Sequence, residues 1–240
     1  MRFKIDLLLN KDEIPKDKNR IFISLFKTIL LESDEQTYHE LYDKGKTERK
    51  DFTFSINMPK CKFNRETISI PEKKISLFFS AADLKLGIAF YNAFIRAKEK
   101  VIKYKDLELK IVNIALHKEV VFTTNSTVFR TSSPIVIREH NKDTNKDWYY
   151  DLSTEEGYKL FIESLKNQVL LDLPGSEYDL NEFKVEVISN KTVKVKHYGI
   201  EVLSNLATFK VTAKPYILSH MLNAGVGSFK SAGFGMLTVV

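Results

Sequence analysis

Alternating apolar and polar positions predict a strand at the start of the chain. Phe3, Ile5, Leu7 and Leu9 occupy every second position of residues 3–9, which gives an extended segment one apolar face. The next apolar residues recur at helical spacing and predict a helix over 20–32. Strands are predicted at 52–57, 75–81 and 107–116, and a helix capped by Asp83 over 83–98. No sustained periodicity is present between Ser33 and Asp51.

The second half of the chain repeats this alternation less regularly. A helix capped by Ser153 is predicted from Thr154 to Leu170, and another from Pro215 to Asn223. Strands are predicted at 128–129, 134–138, 148–152, 183–188, 192–197, 206–212 and 237–240.

Each half therefore contains the elements of a split βαβ unit. In the first half the order is strand, helix, strand, strand, helix, strand, which is typical of a ferredoxin-like domain. The sequence predicts an α+β protein of two tandem ferredoxin-like (RRM-like, βαββαβ) domains. Their predicted bounds are 1–122 and 123–240.

Composition excludes several classes of protein. Apolar residues make up 43% of the 240 positions, enough to form a core, so a disordered chain is excluded. One cysteine, Cys61, forms no internal disulfide, which favours a reducing compartment. Residues 1–20 lack the apolar stretch of a signal peptide, and no run is long enough to span a membrane. We therefore expect a cytoplasmic protein that does not associate with a membrane.

The net charge of +6 is unevenly distributed. Residues 1–120 carry 24 basic and 18 acidic side chains, whereas residues 141–190 carry 5 basic and 11 acidic side chains. Residues 191–240 have 6 basic side chains and one acidic residue, Glu201. Such a distribution indicates a positive surface that attracts a polyanion, nucleic acid first. A Lys-rich solvated surface that reflects the base composition of the genome explains the charge equally well.

A glycine cluster before the last predicted strand is the sharpest local signal. Four of nine glycines, Gly225, Gly227, Gly233 and Gly235, lie within eleven residues. Their backbone can approach an anion closely through N–H groups, with Lys230 as a mobile cation. Ser228 and Ser231 add hydroxyl donors. Because a helix precedes the cluster and a strand follows it, a dinucleotide-binding fingerprint is excluded. A tight turn that needs small residues for packing remains the structural alternative.

The order of these elements resembles a known family. Three segments together resemble those of CRISPR-associated RAMP proteins. They are the tail from Gly225 to Val240, the segment Phe52-Thr53-Phe54-Ser55 and the segment 131–136 (Thr-Ser-Ser-Pro-Ile-Val). The resemblance is to the repeat-RNA-processing endoribonucleases, Cas family six, and it covers essentially the whole chain. It implies cleavage of CRISPR repeat RNA (precursor crRNA) without metal or other cofactor. A ribose 2′-OH would attack the adjacent phosphate and leave a 2′,3′-cyclic phosphate and a 5′-OH.

The resemblance also implies catalytic residues between the first helix and the strand at 52–57. His39 is the only histidine in that window and, with an ordinary pKa of about 6.5, can serve as an acid or a base. Tyr42 and Lys46 are the preferred partners among the tyrosines and lysines nearby, which also include Tyr38, Lys44 and Lys50. Without the family, a solvated loop histidine would be the simpler interpretation of His39. Candidate phosphate contacts outside the glycine cluster include Arg130, Arg138, Lys194 and Lys196.

Three functions remain open from the sequence. The first is a repeat-specific endoribonuclease. The second is a RAMP-type subunit that holds crRNA in an effector complex without cutting it, and the third is an unrelated ferredoxin-like module that binds a small anion. Association with effector subunits and a homodimer are further expectations. The aromatic run Trp148-Tyr149-Tyr150 could stack on bases, although an aromatic strand usually belongs to a core.

Overall fold

A computed structural model describes residues 1–43 and 49–240, and it contains two compact units. The first comprises Met1–Glu119 together with Lys196–Ile200, and the second comprises Val120–Val195 together with Glu201–Val240. The short segment Lys196–Ile200 is the tip of a hairpin whose strands belong to the second unit. Of the helices among the described residues, none is long and apolar enough to cross a membrane.

The first unit is a five-stranded antiparallel sheet with two helices that separate its strands along the chain. Its elements are β1 (Arg2–Leu9), α1 (Asn19–Ser33), β3 (Phe52–Asn57), β6 (Lys74–Ala81), α3 (Leu84–Arg96), β7 (Val101–Tyr104) and β8 (Leu107–Leu116). The strand order is β3-β6-β1-β8-β7. Without the edge strand β7, the chain order is βαββαβ with the first strand between the third and the fourth. The predicted ferredoxin-like fold is confirmed.

Buried phenylalanines form the core of this unit. The alternation in β1 buries Phe3, Ile5, Leu7 and Leu9 on one face, as the sequence predicted. On α1, the ring of Phe26 lies 5.0 to 6.1 Å, centroid to centroid, from five other phenylalanine rings. These are Phe52, Phe54, Phe79, Phe90 and Phe94. Edge-to-face contacts of this kind add to the energy of burial, so α1 is held firmly on the sheet.

Several short elements of the first unit were not predicted. A helix, α2 (Glu35–Tyr42), lies in the segment that shows no periodicity, and it packs against α1. It begins after Asp34, whose side chain accepts a hydrogen bond from the Thr37 N–H at 3.0 Å. Three strands, β2 (Glu13–Pro15), β4 (Lys62–Phe63) and β5 (Thr67–Ser69), form a separate small sheet in the order β2-β5-β4. They are too short to show a hydrophobic period.

The second unit is built on a four-stranded sheet. Its elements are β9 (Ser126–Thr131), α4 (Glu155–Asp172), β12 (Lys184–His197), β13 (Ile200–Thr212), α5 (Pro215–Ala224) and β14 (Leu237–Val239), with a separate two-stranded ribbon of β10 (Arg138–Asn141) and β11 (Lys146–Tyr149). The strand order of the sheet is β12-β13-β9-β14. The same βαββαβ order recurs, so the prediction of two ferredoxin-like domains is confirmed by the topology.

Three details of the second unit differ from the sequence prediction. One continuous strand, β12, replaces the two strands predicted at 183–188 and 192–197, and its partner β13 begins earlier than predicted. The predicted strand at 134–138 is reduced to isolated bridges at Ile135 and Val136. Thr154, not Ser153, caps α4, because its hydroxyl accepts the Gly157 N–H at 3.1 Å.

Candidate functional site

His39 lies on α2 between two carboxylates, one turn before it and one turn after it. Its Nδ1 contacts the Asp43 carboxylate, and its Nε2 lies 3.4 Å from Glu35 Oε1. The side chain is half exposed. Asp43 first and Glu35 second raise the pKa of His39, because both favour the charged imidazolium. The two carboxylates therefore favour the imidazolium, which is the form that can donate a proton.

Tyr42, three residues further along α2, is an aromatic platform for two lysines. The ammonium nitrogen of Lys50 lies 4.1 Å from the Tyr42 ring centroid and that of Lys27 lies 4.9 Å from it. Burial raises the pKa of the Tyr42 hydroxyl, so the phenol stays neutral. The ring of Tyr38 lies 5.4 Å from the His39 ring and 5.5 Å from the Tyr42 ring, which joins the three side chains in one cluster.

Lys27 and Lys50 bring two positive charges to this cluster. Burial first and the charge of Lys27 second lower the pKa of Lys50. Of the ion pairs found between described residues, none involves either lysine. Two like charges held close together favour the approach of an anion. Lys50 is among the lysines near His39 that the sequence singles out. Lys27 is not, since a lysine on the polar face of α1 carries no signal of its own.

Of the three predicted catalytic residues, the structure brings His39 and Tyr42 together on α2. Lys46, the third, and Lys44 lie outside the described residues. Among the residues that the structure does describe, no group of three or more His, Cys, Asp or Glu side chains is arranged to hold a metal ion.

The glycine cluster forms a loop whose backbone packs against residues 134–136. The Gly235 N–H donates to the Pro134 carbonyl at 2.8 Å, the Ser228 N–H to Val136 at 2.9 Å, and the Val226 N–H to Gly235 at 2.9 Å. A Cβ on Gly235 would lie 1.8 Å from the Val226 carbonyl oxygen, and both Gly235 and Gly227 have positive φ. Glycine is therefore required by close backbone packing within the loop.

The side chains of the loop differ from the prediction at Lys230. Lys230 is only 7% exposed and starts a short 3-10 turn, Lys230–Ala232, so it is not the mobile surface cation that the sequence indicated. Ser228 and Ser231 are partly exposed, whereas Gly225, Gly233 and Gly235 are buried. Six N–H groups between residues 225 and 235 thus already donate to backbone carbonyls, which reduces what the backbone can offer an anion.

The remaining predicted basic residues lie at three different places. Arg138 is beside the glycine loop, with its guanidinium carbon 4.7 Å from the Phe229 ring centroid and a 3.3 Å ion pair to Asp147. Arg130 is exposed on β9, opposite Thr208 of β13 and Thr238 of β14. Lys194 and Lys196 form ion pairs, Lys194 with Glu201 at 3.7 Å and Lys196 with Glu66 at 2.6 Å.

Comparison with known proteins identifies the family. A family model described as CRISPR-associated protein Cas6, C-terminal, matches residues 116–239, more than half of the chain. No curated protein sequence matches the chain. The chain contains two ferredoxin-like units, and the second has a glycine-rich loop before its last strand. The chain belongs to the CRISPR-associated Cas6 family.

Solved structures share the fold over the whole chain. A Cas6-related protein from Pyrococcus furiosus has a TM-score of 0.84 and 21% identity, with 100% of this chain and 98% of that chain covered. A protein described as a RAMP protein binding different RNA substrates has a TM-score of 0.82 and 22% identity, with coverages of 100% and 99%. A Cas6 product complex has a TM-score of 0.73 and 15% identity, with 100% of this chain and 99% of that chain covered. At these identities the likeness concerns the fold.

Proposed function

We propose that this protein is a CRISPR repeat-RNA endoribonuclease that processes precursor crRNA without a metal ion. The ribose 2′-oxygen attacks the adjacent phosphorus and releases its proton to solvent water. The bond to the 5′-oxygen of the next nucleotide breaks, and that oxygen takes up a proton. The products are a 2′,3′-cyclic phosphate and a 5′-OH. The observation that carries the proposal is the position of His39 between Glu35 and Asp43 on α2, in a chain of the Cas6 family.

His39 acts as the general acid in this proposal. Breaking the phosphorus–oxygen bond places negative charge on the departing 5′-oxygen, which a proton donor neutralises. Because its two carboxylate neighbours raise the pKa of His39, the imidazolium is available near neutral pH. The half-exposed ring is accessible to a bound RNA.

Lys27 and Lys50, held on the Tyr42 ring, supply the positive charge that stabilises the pentavalent phosphorane. Preorganised cations act where negative charge develops in the transition state. Tyr42 contributes as the platform for both ammonium groups rather than as an acid, because its pKa is raised. Lys46 remains a predicted third partner.

The RNA-binding surface that we propose comprises the glycine loop and four basic residues outside it. The members are Gly225, Gly227, Ser228, Lys230, Ser231, Gly233, Gly235, Arg130, Arg138, Lys194 and Lys196. The proximity of Arg138 to Phe229 supports a contact of the loop with RNA, since arginine binds phosphate well.

Cleavage of labelled repeat RNA in EDTA tests the proposal. We expect cleavage in EDTA, none of a substrate with a 2′-deoxy ribose at the cut, and a rate loss of about 100-fold or more in His39→Ala. His117→Ala, an exposed histidine of the same unit, should cleave normally. A requirement for Mg²⁺, or cleavage of the 2′-deoxy substrate, contradicts the mechanism. Full activity in His39→Ala removes this residue from the site.

A second candidate is a RAMP-type subunit that binds crRNA, alone or with effector subunits, and does not cut it. The fold similarity to a RAMP protein described as binding different RNA substrates favours it. Tight binding of repeat RNA that stays intact in the same assay would select this function. A homodimer is a further proposal, and sedimentation of the protein with and without RNA tests it.

A further inference from the structure

The consecutive aromatic residues of β11 and its C-terminal end do not share one environment. Tyr149 packs against a small cluster that contains Val136 and Phe234, and Tyr150 packs against the main core of the second unit. Trp148 belongs to neither cluster and is 47% exposed. Its position on the ribbon, opposite Glu139, leaves a large apolar ring on the surface. Core packing therefore explains the two tyrosines but not the tryptophan.

An open pocket of about 410 Å³ lies beside this ring. Trp148, Tyr150 and Glu139 contribute to its walls, together with Asn141 and Lys142 at the turn of the ribbon. Its size lies at the lower end of the range for small-molecule sites, roughly 300–1,000 Å³. The His140 ring and a second carboxylate, Asp143, also line it. The pocket thus combines aromatic rings, two carboxylates and the Lys142 ammonium group within one concave surface.

The Glu139 carboxylate of this pocket is fixed in place. The Tyr150 hydroxyl donates a hydrogen bond to Glu139 Oε2 at 2.8 Å. That bond is the main cause of a Tyr150 pKa raised to about 12, so the phenol remains a donor. Within the ribbon, Asp147 accepts from Arg138 at 3.3 Å and contacts Nδ1 of the pocket residue His140 at 2.7 Å. These contacts hold an otherwise weak two-stranded ribbon in one geometry.

We propose that this Trp148 pocket binds a single unpaired nucleobase that carries an exocyclic amino group. The base stacks on the Trp148 ring and its amino group donates to the Glu139 carboxylate, while Lys142 attracts the adjoining phosphate. Stacking on aromatic side chains and hydrogen bonds to base edges are how proteins read single-stranded RNA. Uracil offers a carbonyl oxygen where adenine and cytosine offer the amino group, so the carboxylate disfavours uracil. The inference rests on the proposed function, because it presumes that the protein binds RNA.

Trp148 is the only tryptophan of the chain, so its fluorescence reports directly on this pocket. Titration with short single-stranded oligo(A) and oligo(C) should quench the fluorescence at lower concentration than titration with oligo(U). Trp148→Ala should weaken binding of oligo(A), measured by anisotropy of an end-labelled strand, between about 5-fold and 100-fold. Trp148→Phe should restore most of that loss. Tyr178→Ala, an exposed aromatic of the same unit outside the pocket, should change nothing.

Glu139→Gln tests the base preference without removing the ring. It should retain quenching and reduce the preference for oligo(A) and oligo(C) over oligo(U), because the amide donates to uracil as well as accepting from an amino group. An unchanged preference overturns the carboxylate's role, and no quenching by any strand overturns the pocket. Labelled repeat RNA that binds by anisotropy while the fluorescence stays constant overturns the pocket and leaves the proposed function standing. Absence of RNA binding by both measurements overturns the two together.

Discussion

At the scale of single residues, the chemistry of His39 depends on its position in a helix. Residues four apart on a helix are neighbours, so Glu35 and Asp43 both reach the imidazole. The sequence alone identified the histidine through the family resemblance. It did not identify the carboxylates, because the segment 33–51 shows no periodicity and its helix was not predicted.

Asp43→Asn should move the alkaline limb of the cleavage rate to lower pH. A raised pKa keeps the acid form populated to higher pH, and removing the main cause returns the pKa toward its ordinary value of about 6.5. Activity should therefore fall earlier as the pH rises. Single-turnover rates between about pH 5 and pH 9 measure the shift. Glu40→Gln is the matched control, since Glu40 accepts from Gln36 on the same helix and should leave the profile unchanged.

The glycines of the loop illustrate a residue-scale role that the sequence could not decide. The pattern was compatible with anion contact or with packing, and the hydrogen bonds to residues 134–136 show that packing uses much of the backbone. Local sequence cannot reveal a segment almost a hundred residues away that closes over the loop.

Gly235→Ala should destabilise the second unit by more than about 3 kcal/mol. The new Cβ would lie 1.8 Å from the Val226 carbonyl oxygen, and the residue has a φ of 70°. Gly175→Ala separates the backbone strain from the steric clash. Gly175 has a φ of 92°, but nothing lies within 4 Å of the new Cβ. The control should cost only about 1–2 kcal/mol. Urea unfolding followed by far-UV circular dichroism measures the free energy of unfolding of both variants. Equal losses of stability in the two would contradict a steric clash at Gly235.

At the scale of elements, regular periodicity decided which parts of the fold were predictable. Strands such as β1 and helices such as α1 have one apolar face and were located from it. The sequence predicts two strands where the structure has one, β12, because residues 189–191 in its middle are polar. Pairing with β13 keeps these largely exposed residues in the strand. The cap of α4 was placed one residue early, since Ser153 and Thr154 are equally good capping residues by type.

Tyr42 joins three elements, since it lies on α2 and contacts Lys27 of α1 and Lys50 just before β3. Tyr42→Phe retains the ring, so we expect cleavage within about threefold of the unchanged protein. Tyr42→Leu removes the attraction between ring and cation, worth roughly 0.5–2 kcal/mol, and should slow cleavage by about 10-fold. Single-turnover rates at saturating RNA distinguish them. A large loss in Tyr42→Phe would instead show that the hydroxyl takes part in the reaction.

At the scale of the whole molecule, the repeated βαββαβ order was correctly predicted from the sequence. The net charge was a weaker guide, because many lysines form ion pairs with nearby carboxylates. Lys194 and Lys196 are examples, whereas Arg130 is exposed on the sheet of the second unit. Which cations are available to an anion is therefore decided by tertiary structure and not by their number.

RNA affinity should fall steeply with salt concentration. When one basic side chain that binds a phosphate is removed, the slope of log K against log salt becomes shallower by about 0.7 for a single strand. Arg130→Ala and Arg138→Ala should each reduce the slope by about this amount. Lys60→Ala should leave it unchanged, because Lys60 is not part of the proposed surface. Filter binding over a series of salt concentrations measures the slopes, and a flat response in the unchanged protein would contradict an electrostatic surface.

The hairpin tip Lys196–Ile200 determines how the protein can be divided. Tyr198 lies 4.8 Å, ring centroid to guanidinium carbon, from Arg20, and Lys196 pairs with Glu66, so the first unit is discontinuous in sequence. Cutting the chain between Glu119 and Val120 leaves this piece of the first unit on the other fragment. A fragment of residues 1–119 is therefore an incomplete domain. A circularly permuted or split protein must still supply residues 196–200 to the first unit, although the strands that flank them belong to the second unit.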